Sequence, residues 1–198
     1  FMGALMSKTG LTQQLVDFCN SIFGRLRGGL AIAGIAAGAF FAAICGPSAA
    51  SIASLGAILI PAMKKEGYGG GFSGAVIAAA GSLGPIIPPS ILLVLYACQS
   101  GQSIGWLFMA GVIPGILSAV LYIIVVARTA KVRDFPVHER CSLQQIGKST
   151  MEAIPAIIIP VIIVGGICGG VFTVTESAGI TTIYVLLIWI LRKLPGKE

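Results

Sequence analysis

Charged side chains are scarce in this sequence. Only 10% of its 198 residues are Asp, Glu, Lys or Arg, whereas a soluble domain carries about 25%. Hydrophobic residues make up 56%, and the mean hydropathy is +0.97. The shortage of charge argues against an ordinary soluble domain and predicts an all-α polytopic membrane protein surrounded by the lipid bilayer.

The groups that carry most enzyme chemistry are also few. The single histidine, His138, falls in a polar stretch, and the seven carboxylates lie in predicted loops and helix ends, without an intramembrane pair for acid–base catalysis. The five cysteines have no CxxC or metal-like spacing, which argues against a disulfide framework. We therefore expect no enzyme activity and no cofactor.

The net charge of +6 follows the pattern of membrane topology. Five of the thirteen basic residues fall between Arg128 and Lys148, and the others flank apolar runs. A nucleic-acid partner would require a clustered basic face with exposed aromatic residues. We expect no such partner.

The apolar stretch from Leu30 to Met63 has no charged residue and is interrupted near its middle by Gly46-Pro47-Ser48. It is too long for one span of ~20 residues and too short for two. Basic residues flank it on both sides: Arg25, Arg27, Lys64 and Lys65. We predict a re-entrant helical hairpin at 30–63 with both ends cytoplasmic and its tip at the midplane. A long, kinked helix lying partly in the interface is the alternative.

A second interruption divides the apolar run from Phe72 to Tyr96. The sequence between Gly81 and Ser90 is GSLGPIIPPS, whose three prolines lack the backbone N–H that a helix needs. This pattern predicts a discontinuous transmembrane helix, unwound near the membrane centre, where secondary transporters place substrates and coupling ions. A proline kink that serves only packing is the alternative.

The remaining sequence divides into further segments. Residues 1–29 are expected to hold the end of a transmembrane helix and an amphipathic interfacial helix, and 72–127 the broken helix and a following span. The basic stretch 128–150 is predicted as a cytoplasmic loop and 151–198 as two further spans, with Thr173 or Thr175 capping the last helix. The chain begins and ends abruptly, so we expect a piece of a longer protein.

Neutral oxygen atoms collect at the two interruptions. Serines follow the hairpin tip and bracket the broken helix: Ser48, Ser51, Ser54, Ser82 and Ser90. Hydroxyl and carbonyl oxygens suit Na⁺, and the helix N-terminus near Ser48 suits an anionic group. Each hydroxyl can instead bond back to its own helix. Ser48 as the nucleophile of an intramembrane hydrolase would need His138 as its base, and we reject this because the topology places His138 in a loop.

Segments along nearly the whole chain resemble the large membrane subunit, the M or DctM-like subunit, of tripartite ATP-independent periplasmic (TRAP) transporters. They include CGPSAASIASLGAILIPAM, AAAGSLGPIIPPSI and EAIPAIIIPVIIVGGICGGVFTVTES. The resemblance implies half of an elevator-type transporter, multi-pass in the bacterial inner membrane. It also implies uptake of an organic acid, usually a carboxylate, with a periplasmic binding protein and a small membrane subunit as partners and Na⁺ as the coupling ion. The family's second, inverted repeat is absent.

The resemblance also implies which residues form the site. One Na⁺ site is carried over, mostly through carbonyls, to Cys45, Ser48, Gly84, Ile87 and Pro89. Residues near the substrate are then Gly46, Pro47, Ser51, Ser82 and Ser90. The family's tip usually reads like SGSS, whereas this sequence has CGPS. The alternative function is a non-transporting membrane scaffold or assembly subunit, in which both interruptions serve packing.

Overall fold

The computed structural model describes residues 5–6, 9–46, 48–135 and 143–193, without the side chains of residues 45, 48, 50, 143, 192 and 193. Within these ranges the chain is helical and has no strand, as its composition predicts. The helices are α1 (Leu11–Phe23), α2 (Gly29–Cys45), α3 (Ser48–Lys65), α4 (Gly70–Gly81), α5 (Ile91–Ser100), α6 (Ile104–Val132), α7 (Leu143–Cys168) and α8 (Val174–Lys193).

Three of the described helices are long and apolar enough to cross a membrane, judged by length and composition. They contain the segments Ile104–Val132, Gln144–Cys168 and Val174–Leu191. α6 exposes large apolar side chains along its length, with Trp106 79% and Ile113 75% exposed. Among the described helices, α2 and α3 are not counted in these three.

α2 and α3 form a helical hairpin whose bend lies where glycine and proline interrupt the sequence. α2 ends at Cys45, Gly46 has φ +64°, and α3 begins at Ser48. A Cβ built on Gly34 would lie 3.3 Å from Leu59 Cδ1 and 3.3 Å from Met63 Cε. Because residues equally far from the bend are in contact, the two helices run antiparallel.

α4 packs into the same core beside both arms of the hairpin. Val76 is buried and lies near Gly34, and Ile77 lies near Gly56 on α3. α4 approaches α2 most closely at Gly38, where an added Cβ would lie 2.6 Å from Ala80 Cβ. The start of the broken helix is therefore fixed directly against the first arm of the hairpin.

The N-terminal end of the hairpin meets the C-terminal end of α6. Gly28, with φ +74°, approaches Ala130 so closely that a Cβ would lie 2.4 Å from the alanine Cβ. Arg27, just before α2, forms an ion pair with Asp134, just after α6. The N-terminal flank of the hairpin therefore lies against the C-terminal end of α6.

An aromatic cluster closes this end beyond α3. The ring centroid of Tyr68 lies 4.3 Å from that of Phe135, which lies 5.2 Å from that of Phe72. Burial raises the pKa of Tyr68 to about 12, with a smaller contribution from the negative charge of Glu66. The Tyr68 hydroxyl is therefore neutral at physiological pH. Its ring packs against the rings of Phe72 and Phe135.

The segment between α6 and α7 is shorter than the predicted loop. α6 continues to Val132 and α7 begins at Leu143, so the ends of 128–150 are helical. α6 and α7 extend beyond their apolar runs because Arg, Lys and Gln, which follow or precede those runs, are good helix formers. His138 lies outside the described residues.

The last two helices form an antiparallel pair with a defined cap. Thr173 and Glu176 form a capping box: the Thr173 N–H donates to Glu176 Oε2 at 2.8 Å, and the Glu176 N–H donates to Thr173 Oγ1 at 3.3 Å. This confirms Thr173, one of the two predicted caps, for α8. The Tyr184 hydroxyl donates to the Pro155 carbonyl at 3.2 Å, which joins α8 to the first half of α7.

The contact between α2 and α4 yields the first prediction. We expect Gly38→Ala to destabilise the protein by about 1–3 kcal/mol because the new methyl group overpacks the contact with Ala80. The matched control is Gly74→Ala on α4, where a Cβ meets nothing within 4 Å. Thermal unfolding in detergent would show a lower melting temperature for Gly38→Ala alone. Equal melting temperatures for the two variants would contradict the close packing.

Candidate functional site

The broken helix is unwound between Gly81, the last residue of α4, and Ile91, the first of α5. The N–H groups of Ile86 and Ile87 both donate to the Leu83 carbonyl, at 3.0 and 2.8 Å. Ser90 Oγ donates to the Pro85 carbonyl at 2.7 Å and is only 1% exposed. Ser90 therefore closes a tight loop immediately before α5.

Several carbonyls of this unwound segment accept no hydrogen bond from the described residues. Three prolines supply no N–H, and among the hydrogen bonds that the described residues form, none is accepted by the carbonyls of Gly84, Ile87 or Pro89. Gly84 is buried, and Ile87 and Pro89 are partly buried. These three carbonyl oxygens are therefore available as ligands, whereas the nearby carbonyls of Leu83 and Pro85 accept hydrogen bonds.

Two glycines of α6 support the unwound segment from behind. A Cβ on Gly111 would lie 2.9 Å from the Ile86 carbonyl oxygen, and one on Gly115 would lie 2.6 Å from Ile87 Cγ1. Both glycines are buried, and a larger side chain at either position would displace the loop. Sequence reasoning missed this role, although the four-residue spacing of the two glycines on one helix face was visible.

The hairpin tip touches the end of the unwound segment. A Cβ on Gly46 would lie 3.4 Å from the Pro89 carbonyl oxygen and 3.8 Å from Ile91 Cγ1. The bend after α2 and the loop before α5 are distant in sequence and meet here in space. The free carbonyl of Pro89 consequently faces the place where α3 begins.

The residues of the predicted ion site lie on the two breaks, and Pro89 lies next to Gly46. Gly84, Ile87 and Pro89 contribute backbone from the unwound segment. Cys45 ends α2 and Ser48 begins α3, while their side chains lie outside the described part. Both residues adjoin Gly46, so the five predicted ion ligands are divided between the two breaks that meet.

The residues predicted near the substrate are distributed more widely. Gly46 and Ser90 lie at the contact between the breaks, Ser51 is buried in the first turn of α3, and Pro47 lies outside the described residues. Ser82 is further away, since its hydroxyl is 3.1 Å from the Tyr122 hydroxyl and donates to the Ala79 carbonyl at 2.8 Å. The structure does not bring Ser82 to the hairpin tip.

A cavity of about 420 Å³ opens beside the contact. Gly46, Pro89 and Ser90 form one wall, and α7 and α8 form the other through Ile163, Val174, Ala178 and Thr182. No charged side chain of the described residues lines it. Sequence reasoning did not connect α7 and α8 with the breaks, because no motif in either helix indicates the contact.

This arrangement offers neutral oxygen ligands next to two helix N-termini. α3 and α5 both begin at the contact, so the N–H groups of their first turns carry partial positive charge toward it. Carbonyl oxygens favour a hard monovalent cation, and helix N-termini favour an anionic group. The site is therefore suited to hold a small cation and an organic anion side by side, without a charged side chain.

Comparison with known proteins places the chain among transporter components. Residues 1–197 match the family model described as "Tripartite ATP-independent periplasmic transporter, DctM component". The chain is 41% identical over 182 residues to the C4-dicarboxylate TRAP transporter large permease protein DctM of Pseudomonas aeruginosa, covering 92% of this chain and 43% of the relative.

Two further relatives agree with this match. One is the C4-dicarboxylate TRAP transporter large permease protein DctM of Vibrio cholerae, 39% identical with 92% of this chain and 40% of the relative covered. The other is the isethionate TRAP transporter permease protein DctMQ of Oleidesulfovibrio alaskensis. It is 39% identical, and the match covers 94% of this chain and 29% of the relative. The chain spans less than half the length of these relatives.

The family match and the three membrane-length helices together describe a multi-pass membrane protein. The matched region includes both breaks and the helices that surround them. The chain belongs to the DctM family of tripartite ATP-independent periplasmic transporters.

Proposed function

We propose that this chain is part of the large permease subunit of a Na⁺-coupled secondary transporter that imports organic acids. The observation that carries the proposal is the contact between Gly46 and Pro89, where carbonyls that accept no hydrogen bond from the described residues meet the start of two helices. Neutral oxygens and half-helix termini of this kind coordinate ions and anionic substrates in secondary transporters.

In the proposed site, Na⁺ is held mostly by backbone carbonyls. Gly84, Ile87 and Pro89 supply oxygens from the unwound segment, and Cys45 and Ser48 supply them from the hairpin tip. The bound cation offsets the negative charge of an organic acid beside it, so each ligand increases the affinity for the other. This reciprocity is the physical basis of coupling uptake to a Na⁺ gradient.

The cavity beside the contact is the proposed location of the organic acid. Its wall from the tip and α5 carries the partial positive charge, and α7 and α8 contribute an apolar wall. The relatives compared above carry the names of C4-dicarboxylate and isethionate transporters. We accordingly propose organic acids as the class and leave the individual acid to the binding protein that delivers it.

The proposed topology follows the sequence. The hairpin α2–α3 is re-entrant, with its ends and the basic segment between α6 and α7 on the cytoplasmic side of the bacterial inner membrane. The hairpin and the broken helix α4–α5 move together in an elevator-type step, since Gly38 and Ala80 lock α2 to α4. A small membrane subunit and a periplasmic binding protein are the proposed partners.

Uptake into proteoliposomes tests the proposal. The complete parent protein, reconstituted with its small subunit and binding protein, should accumulate a radiolabelled organic acid from a panel when an inward Na⁺ gradient is present. An equal K⁺ gradient should give no accumulation. Uptake that does not respond to Na⁺ would remove the ion site, and a folded complex that transports nothing under any gradient would favour a scaffold role.

The loop closed by Ser90 generates a sharper test. We expect Ser90→Ala to raise the Na⁺ concentration for half-maximal uptake about fivefold, because one hydrogen bond of ~1 kcal/mol that shapes the carbonyl loop is lost. The matched control is Ser100→Ala at the other end of α5, whose hydroxyl donates to the Tyr96 carbonyl of its own helix at 2.7 Å. A similar change in both variants would show that the loop does not set the Na⁺ affinity.

A further inference from the structure

One polar side chain interrupts the buried stripe of α6. The buried residues of this helix recur at helical spacing and carry no polar side chain: Phe108, Gly111, Gly115, Ala119, Val126 and Ala130. Tyr122 falls on the same stripe, between Ala119 and Val126, and is partly buried against the core. An apolar side chain would fill this position as well. The Tyr122 hydroxyl therefore needs a partner of its own, as buried tyrosine hydroxyls usually do.

That partner is the first residue of the unwound segment. The Tyr122 hydroxyl oxygen lies 3.1 Å from Ser82 Oγ, 40 residues away in the sequence. Ser82 has a single hydroxyl hydrogen and donates it to the Ala79 carbonyl at 2.8 Å. Tyr122 is therefore the donor of this pair, and Ser82 Oγ is the acceptor. The hydrogen bond joins α6 to the point where α4 ends.

α6 thus holds the unwound segment at more than one position. Tyr122 bonds Ser82, while Gly115, seven residues earlier on α6, closely approaches Ile87. Seven residues of helix correspond to about 10 Å along the axis. The unwound segment therefore lies along one face of α6. A hydrogen bond fixes its start, and close packing fixes it further on.

Gly84 lies between these fixed points. Its N–H donates to the Gly81 carbonyl at 3.1 Å, and its own carbonyl accepts no hydrogen bond from the described residues. The direction of that carbonyl depends on the backbone torsions between Ser82 and Ile86, and glycine has no side chain to restrict its own torsions. Loss of the bond at Ser82 would release one end of this short stretch. The Gly84 carbonyl would then adopt several directions in place of one.

We propose that Tyr122 is a positioning residue for the ion site and acts through Ser82 on the Gly84 carbonyl. This inference rests on the proposed function, in which the Gly84 carbonyl is a Na⁺ ligand. Tyr122 itself does not touch the ion. Its hydrogen bond orders the loop before Na⁺ binds, so that binding costs less ordering of the backbone. Ser82, which the sequence predicts near the substrate, is then a support of the loop.

The Na⁺ dependence of thermal stability tests this role in the complete parent protein in detergent. Na⁺ should raise the wild-type melting temperature and K⁺ should not, because a ligand that binds only the folded state stabilises it. Tyr122→Phe and Ser82→Ala should each need about fivefold more Na⁺ for the same rise, since each removes the bond between α6 and the loop. The double variant should need no more Na⁺ than either single variant, because the two substitutions remove one shared interaction.

Two further variants are matched controls. Tyr184→Phe also removes a tyrosine hydroxyl that joins two helices, 3.2 Å from the Pro155 carbonyl, and should leave the Na⁺ dependence unchanged. Ser82→Thr keeps the accepting hydroxyl and should keep the wild-type Na⁺ dependence. An equal shift in Tyr184→Phe, additive shifts in the double variant, or no shift in Tyr122→Phe would overturn the positioning role alone. A wild-type protein that does not respond to Na⁺ would remove the proposed ion site and the positioning role together.

Discussion

A backbone carbonyl in a membrane protein has no bulk water to bond, and the rest of this structure depends on that constraint. A helix satisfies its own carbonyls, but prolines at positions 85, 88 and 89 remove three donors at once. The unwound segment survives because two of its flanks are protein: the glycines of α6 behind it and the hairpin tip at its end. The Pro89 carbonyl, which accepts no hydrogen bond from the described residues, lies beside that tip.

Close helix contacts at small residues make this arrangement possible. Gly38 brings α2 against Ala80, Gly28 brings the hairpin base against Ala130, and Gly111 and Gly115 admit the loop of the broken helix. Each contact involves a different pair of segments, and together they fix both breaks relative to α6. The proposed ion ligands are therefore positioned by packing elsewhere, while the ligands themselves are main-chain atoms that any residue supplies.

The local features of the fold follow from the sequence. Proline and glycine act on their own backbone, so the interruptions at Gly46 and at 82–90 fall where the residues predict. Thr173, one of the two predicted caps, caps α8. The sequence predicts a loop at 128–150 that is longer than the segment between α6 and α7, because charged residues mark the edge of an apolar run and not the end of a helix.

The contacts between distant segments do not follow from the sequence. The approach of Gly46 to Pro89 was inferred only from two breaks at similar depth, and Gly115 gave no sign that it would meet Ile87. Ser82 has a hydroxyl group like Ser90, but its hydroxyl lies 3.1 Å from that of Tyr122 on α6 and away from the hairpin tip. Such contacts depend on the packing of whole helices, which neither periodicity nor motif spacing records.

Disulfide trapping tests the central claim, that the hairpin tip meets the unwound segment, most directly. In the complete parent protein with its native cysteines replaced, Gly46→Cys combined with Ile91→Cys should cross-link rapidly under mild oxidation, since a Cβ on Gly46 lies 3.8 Å from Ile91 Cγ1. Gly46→Cys combined with Gln99→Cys, eight residues or about 12 Å further along α5, should not cross-link. Equal cross-linking of the two pairs, or none in either, would contradict the account.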